Sequence, residues 1–220
     1  MELIEGLKSR RSIRGFKSDP IDHATLKKIL EVASRSPSYT NTQPWEVAVV
    51  TGAKRDALSR ILYDLAQSGA PVNSDVPNPT SWPPAAAERS KIHNINRFKA
   101  LGIGREDTAR RNELRLENFK FFNAPCVMFI FMDEGCGPWS TMDMGSFINT
   151  LTLAALGHGL GTCLQASLAN YPDAVREFLG VPASKKLLVG MSIGVPNLQA
   201  PLNAYHSARM EVSDFVTWYE

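Results

Sequence analysis

At 220 residues, with 44% apolar and 21% charged side chains, the chain has the make-up of an ordinary globular protein able to bury a core. Its net charge of +2 excludes the broad electropositivity of a nucleic-acid or anionic-membrane binder. Cys126, Cys136 and Cys163 form no C-x-x-C pair, and no stretch is long and apolar enough for a signal peptide or a bilayer span, so a reducing, cytoplasmic setting is expected.

Leu3, Ile4 and Leu7 recur at helical spacing and predict a first helix that ends in bases. Arg10-Arg11-Ser12-Ile13-Arg14 packs three guanidiniums and a hydroxyl into five residues. Such a run can donate to a phosphate or an electron-rich ring. Equally, it can be a solvated turn that complements a helix C-terminus. A second helix is predicted to start at the N-cap Asp22, with Leu26, Ile29, Leu30 and Ala33 on one face and Pro37 as its stop. Pro37 to Trp45 sets short polar side chains between prolines, which makes a stiff loop rich in hydrogen-bonding groups, for binding or for simple connection. Glu46 to Thr51 reads as a strand. The helix after it carries Leu58, Ile61, Leu62 and Leu65 as its inward stripe.

From Ser68 to Ala87 the chain turns proline-rich (Pro71, Pro77, Pro79, Pro83, Pro84) and loses periodicity, the mark of a functional loop, a lid or disorder. Glu88 to Asn118 is polar and partly helical, with Arg111 and Arg115 on a solvated helix face rather than a nucleic-acid stripe. Cys126 to Met132 is a continuous apolar run, expected as a strand buried on both faces. Asp143 to Leu156 places Met144, Phe147, Ile148, Leu151, Ala154 and Ala155 at spacings of three and four, as a central core helix does. The glycines from Gly157 to Gly161 follow that helix and lead into a strand, the reverse of a dinucleotide fingerprint. They therefore read as helix termination and close packing, with His158 packed or capping rather than catalytic. Thr162 to Leu168 and Leu187 to Ile193 are further strands, and Pro172 and Gly180 frame a short helix between them. No histidine spacing suits a metal, so none is expected. The balance is α+β: one domain over 1–220 with an excursion at about 68–118.

Four segments match a known pattern in order. Arg10 to Phe16 fits R-x-S-x-R-x-F, and Pro37 to Trp45 fits P-S-x-x-N-x-Q-P-W. A helix leads into Gly159-Leu160-Gly161-Thr162, and Gly194-Val195-Pro196 with Arg209 closes the set. Together they resemble the nitroreductase family over nearly the whole chain outside the excursion. The resemblance implies a three-layer α+β sandwich, a central mainly antiparallel sheet flanked by helices, and an intertwined homodimer sharing two FMN sites. By position, Arg10, Ser12 and Arg209 would hold the phosphate and ribityl chain, and Arg11 and Arg14 the pyrimidine end. His206 stands where a second base is common. Pro37, Ser38 and Asn41 would come from the other subunit, and the backbone of Gln165, Ala166 and Ser167 would face the ring, with an amide near N5.

No catalytic triad is implied, because the cofactor carries the redox chemistry. NAD(P)H would reduce the flavin and leave, and a small aromatic acceptor would then take its place, a ping-pong cycle. The long excursion resembles the subset acting on nitrobenzoates and related nitroaromatics, which points to nitro reduction to nitroso and hydroxylamine products. There Tyr39 and Trp82 are candidate stacking groups, and Arg97 or Arg105 a candidate partner for a substrate carboxylate; Trp82, Arg97 and Arg105 are otherwise surface residues of a mobile loop. A quinone or other flavin-linked reductase, or a non-enzymatic flavin-binding protein, is the competing expectation.

Overall fold

The computed structural model describes residues 2–220. In chain order the elements are α1 (Leu3–Ser9), α2 (His23–Ala33), β1 (Glu46–Thr51), α3 (Gly52–Ser68), α4 (Pro84–Ala100), α5 (Thr108–Leu116), β2 (Cys126–Asp133), α6 (Pro138–Gly157), β3 (Gly161–Gln165), α7 (Pro172–Leu179) and β4 (Lys185–Gly194).

The sheet is built outward from β2, whose run of apolar residues leaves neither face fit for water. Its strand order is β1-β2-β4-β3, with every neighbouring pair antiparallel. Because side chains alternate along a strand, β2 feeds two cores at once. Cys126, Met128, Ile130 and Met132 meet α2 and α6 through Leu26, Ile29, Met144, Phe147 and Leu151. Val127, Phe129 and Phe131 point the other way, against Leu58 and Leu62 of α3, Val175 of α7 and the Phe119–Phe122 turn. Two helical layers therefore enclose one sheet. Each fully buried Phe or Leu contributes about 1.5–3 kcal/mol of transfer free energy.

The register of β4 breaks once. Ile130 faces Val189 while Phe131 faces Leu187, which leaves Leu188 as the extra residue of a bulge. A second irregularity brings the N-terminal segment onto the sheet: Ser12 bridges Thr162 in parallel, and Ile13 N–H donates to Thr162 O at 2.9 Å. Gly161 permits this approach, since a Cβ there would lie 2.6 Å from Ile13 Cγ1 and 2.9 Å from Pro196 Cγ.

Most local expectations hold. Asp22 caps α2 by accepting from Thr25 N–H, Gly159 turns left-handed after α6 (φ 75°), and Pro172 and Gly180 bound α7. Several need correction. α2 stops at Ala33, before Pro37, and Ile61 of α3 is exposed while Ala66 takes the buried position. β3 ends at Gln165; the residues that continue the apolar run, Ala166–Ala169, form a 3₁₀ turn. His158 is exposed and caps only through its backbone N–H. Leu3, Ile4 and Leu7 are exposed within one chain, so the apolar stripe of α1 has no intrachain core to join. Arg111 and Arg115 are not merely solvated. Arg111 lies 3.9 Å over the Phe98 ring and donates to Gly104 O, while Arg115 donates to Ala66 O, so together they pin α5 to α4 and α3.

Candidate functional site

The bridge of Ser12 to Thr162 fixes where the basic motif lies. Arg10 and Ser12 line a cleft of about 600 Å³, floored by Met144 and Ile148 of α6 and by Leu164, Leu188 and Val189 of the sheet. The bulged residue Leu188 is part of this floor. Val76, from the proline-rich segment, closes one side. An apolar floor under a cationic rim suits a flat ring system with a negatively charged substituent.

Arg14 is held from the far end of the chain. Its backbone N–H donates to Asn203 Oδ1 at 2.6 Å, and Asn203 Nδ2 donates to Gly15 O and Asn197 O, both at 2.9 Å. Asn203 is buried, so this amide is structural. Arg11 Nη1 donates to His206 Nε2 at 2.7 Å, which requires the imidazole proton on Nδ1. Arg209 folds onto its own turn, donating to Ser207 Oγ at 2.7 Å, and lines a neighbouring cleft of about 520 Å³ with His93 and Tyr205.

From the excursion, α4 delivers His93 and Arg97 to the same region. Tyr205 Oη and His93 Nδ1 are hydrogen-bonded at 3.2 Å, and their ring centroids lie 5.3 Å apart. Burial, then the charges of Arg97, Arg14 and Arg209, hold His93 below the ordinary imidazole range. Burial and then Arg14 likewise depress the basicity of Arg97. Desolvation and a like-charge neighbour both raise the cost of positive charge here, a cost that an anionic ligand would offset. Among the described residues, no carboxylate lies within 4.0 Å of Arg10, Arg11, Arg14, Arg97 or Arg209, which they share with Arg35, Arg60, Arg89, Arg105, Arg111 and Arg115, whereas Arg55 and Arg110 each have one and Arg176 has two. The Nε atoms of Arg11 and Arg97 are buried without a partner. A phosphate-bearing planar heterocycle fits this donor set.

Gln165 has its side chain committed inward, accepting from Ser192 Oγ and donating to Asn118 O at 2.8 Å. Only its backbone is left to face a ligand. Ala166 beside it is exposed and Ser167 half-buried. The loop from Pro37 lies elsewhere on this chain, against the first half of α6. Tyr39 N–H donates to Asp143 Oδ2 at 3.1 Å, and the Tyr39 ring stacks on Trp139 with centroids 5.6 Å apart. Thr40, Asn41 and Gln43 hold positive φ, an unusual cost for Thr and Gln; Asn41 is exposed, while Ser38 is half-buried with its Oγ accepting from Gln43 N–H at 3.0 Å. Pro37, Ser38, Tyr39 and Asn41 line neither of the clefts that Arg10 lines.

Of the other excursion residues, Trp82 is exposed, and Arg105 belongs to a separate cleft of about 750 Å³ on the Phe98 face of α4. Sequence reading missed His93, Tyr205 and Asn203. None sits in a local motif, and each acquires its role from a contact more than a hundred residues away.

The sequence model of the nitroreductase family matches residues 7–195 of this chain. Nitroreductase NfnB of Mycolicibacterium smegmatis is 35% identical over 209 residues, covering 94% of this chain and 88% of that protein. A 4-nitrobenzoate reductase of Nocardioides sp. is 30% identical over 216 residues, covering 96% and 87%. The crystal structure of the FMN-dependent nitroreductase NfnB from Mycobacterium smegmatis, in complex with NADPH, is similar at a TM-score of 0.94 and 32% identity over 100% of both chains. The expected layers and antiparallel sheet are thus those of solved relatives.

Proposed function

The chain belongs to the nitroreductase family, and from that premise we propose that it is an FMN-dependent oxidoreductase passing electrons from NAD(P)H to nitroaromatic acceptors. One observation carries the reading: Arg10 and Ser12 of the N-terminal basic motif rim a cleft with an apolar floor, while Arg209 from the other end of the chain lines a second cleft with His93 and Tyr205. Relatives of similar length are an FMN-dependent nitroreductase crystallised with NADPH and a 4-nitrobenzoate reductase.

When bound, FMN supplies the redox chemistry, accepting two electrons from the nicotinamide and releasing them to the acceptor. The protein binds and orients. Arg10, Ser12 and Arg209 neutralise and hydrogen-bond the phosphate end, with His206 steadying Arg11. Arg14, positioned by Asn203, places positive charge at the pyrimidine end. The backbone of Gln165, Ala166 and Ser167 faces the ring, where the buried Gln165 side chain keeps it rigid. Pro37, Ser38 and Asn41 of the partner subunit complete the site, which accounts for their separation from Arg10 within one chain. Exposed Leu3, Ile4, Leu7, Trp139, Phe215 and Trp218 supply the apolar area such a homodimer buries. The excursion at about 68–118 forms a lid that carries acceptor contacts, with Tyr39, Trp82, Arg97 and Arg105 as candidates. Free Cys126, Cys136 and Cys163 suit a reducing cytoplasm, and no helix among the described residues is long and apolar enough to cross a membrane.

The test is spectroscopic. The purified protein is expected to be yellow or to become so with FMN, to bleach with NADPH or NADH without oxygen, and to regain colour on adding 4-nitrobenzoate. Failure to bind FMN sinks the proposal; bleaching without reoxidation by any nitroarene moves the acceptor to quinones.

A further inference from the structure

We propose that Arg97 of α4 is a specificity-determining residue that, beside Arg14, recognises the carboxylate of a ring-bearing acid, so that the site favours carboxylated nitroarenes over uncharged ones. The inference rests on the flavin reading for where the acceptor sits.

Four observations converge on Arg97. It comes from α4, a helix with no buried residue of its own, so its inward placement is not a by-product of core packing. Its side chain is nevertheless half-buried, and its Nε is enclosed without a partner. The charge of Arg14, together with burial, opposes the protonated form of Arg97. His93 and Tyr205 wall the neighbouring space with rings, and among the described residues Asp214 is the one acid lining that cleft. A helix that carries a cation inward against another cation, on weak packing, is poised for an anion that arrives with a ligand.

Charge accounting separates that anion from the cofactor. Arg10 and Arg209 suffice for a phosphate dianion, Arg11 is steadied by His206, and Arg14 serves the pyrimidine end. Arg97 remains, and it is the one member of the set contributed by the excursion rather than by the two chain ends. The cluster suits a carboxylate on an aromatic ring. A guanidinium meets a carboxylate through two parallel N–H donors, and the neighbouring His93 and Tyr205 rings offer the ring a surface to lie against. Arg105, which lies in the cleft across α4, is not part of this pair.

The experiment measures binding of benzoate and of benzamide, its uncharged counterpart, by calorimetry. Wild-type protein, Arg97→Gln and Arg97→Lys are compared, each with FMN occupancy first read from the visible spectrum. Loss of one charged hydrogen-bonding partner corresponds to roughly 10- to 100-fold in affinity. Wild type is expected to bind benzoate at least about 10-fold tighter than benzamide, and Arg97→Gln to bring the two within about 2-fold, with FMN affinity unchanged. Arg97→Lys, which keeps the charge but not the fork, should recover part of the preference. Steady-state rates should show 4-nitrobenzoate losing kcat/KM mainly through KM, and nitrobenzene unaffected. Equal losses for benzoate and benzamide, an unchanged benzoate affinity, or a fall in FMN affinity in Arg97→Gln each overturn the proposal. If the protein takes up no flavin the functional reading fails separately, and Arg97-dependent benzoate binding to the flavin-free protein still decides the anion site.

Discussion

Asp75, inside the proline-rich segment, grips Arg176 of α7 with both carboxylate oxygens, at 2.5 and 3.3 Å. The same carboxylate accepts Leu187 N–H at 2.7 Å, beside the bulge of β4. One side chain thus ties the base of the excursion to a helix and to the strand that floors the cleft. Asn73 adds a second tie, its N–H donating to Asn170 O and its side chain to Asp173. Val76 is thereby set on the cleft wall. A segment that reads as featureless in composition has one half pinned.

Asp75→Ala is expected to destabilise the fold by about 2 kcal/mol, because it strips a mostly buried guanidinium of one partner and a strand N–H of its acceptor, while Asp173 still contacts Arg176. Denaturant unfolding gives the stability. Hydrogen exchange across 70–83 should accelerate more than in β2. Wild-type exchange in that segment would show that Asp75 does not anchor it.

What the sequence made legible was what local chemistry decides. Asp22, Pro172, Gly159 and Gly180 carry their own boundary signals, and the apolar run at Cys126 announces a doubly buried strand. The basic motif and the Pro37 loop were visible as donor-rich segments, and the resemblance gave them a common purpose. Contacts between residues that share no pattern stayed hidden. Nothing near Asn203 announces that it orders Arg14, and nothing in α4 sets His93 and Arg97 apart from the polar residues around them. The 3₁₀ turn after Gln165 was misread as strand because Leu168 and Ala169 are as buried as strand residues, in a different geometry.

Gly161→Ala should couple stability to cofactor binding. Its Cβ would strike Ile13 and Pro196, so the segment bearing Ser12 must shift off Thr162. Overpacking of this kind costs about 1–3 kcal/mol. FMN affinity should fall by more than in Leu58→Ala, a core variant against the opposite layer with at least equal destabilisation of about 2–5 kcal/mol. Equal FMN affinity in both variants would separate the bridge from the site.

His93 gives the flavin-free protein a defined pH signature. Burial, and then Arg97, Arg14 and Arg209, favour its neutral form; Arg89 on its own helix adds positive charge, and Asp214 across the cleft is the only acid lining it. The unfolded chain therefore binds a proton before the folded one as pH falls. The stability attributable to His93 is fully present above the unfolded imidazole value of about 6.5 and is lost as pH drops from there toward the lowered folded value. His93→Gln should flatten unfolding free energy across that window. Arg97→Gln should raise the imidazole titration seen by NMR. A His93 that titrates at or above its unfolded value contradicts the assignment.

Asn203 offers the sharpest test of how Arg14 is held. Its amide accepts from Arg14 N–H and donates to two carbonyls, Gly15 O and Asn197 O, all in a buried setting. Asn203→Ala leaves those groups unpaired, at a cost of about 2–3 kcal/mol. Asn203→Asp keeps the acceptor for Arg14 but turns a carboxylate oxygen toward two carbonyl oxygens, so it should destabilise at least as much as the alanine variant at neutral pH. Both should weaken FMN binding, because Arg14 loses its fixed backbone. Unfolding curves and FMN titrations on the two variants decide the point. An Asn203→Asp protein as stable as wild type would mean that the two carbonyls do not depend on the Asn203 amide, and that Arg14 is positioned by something else.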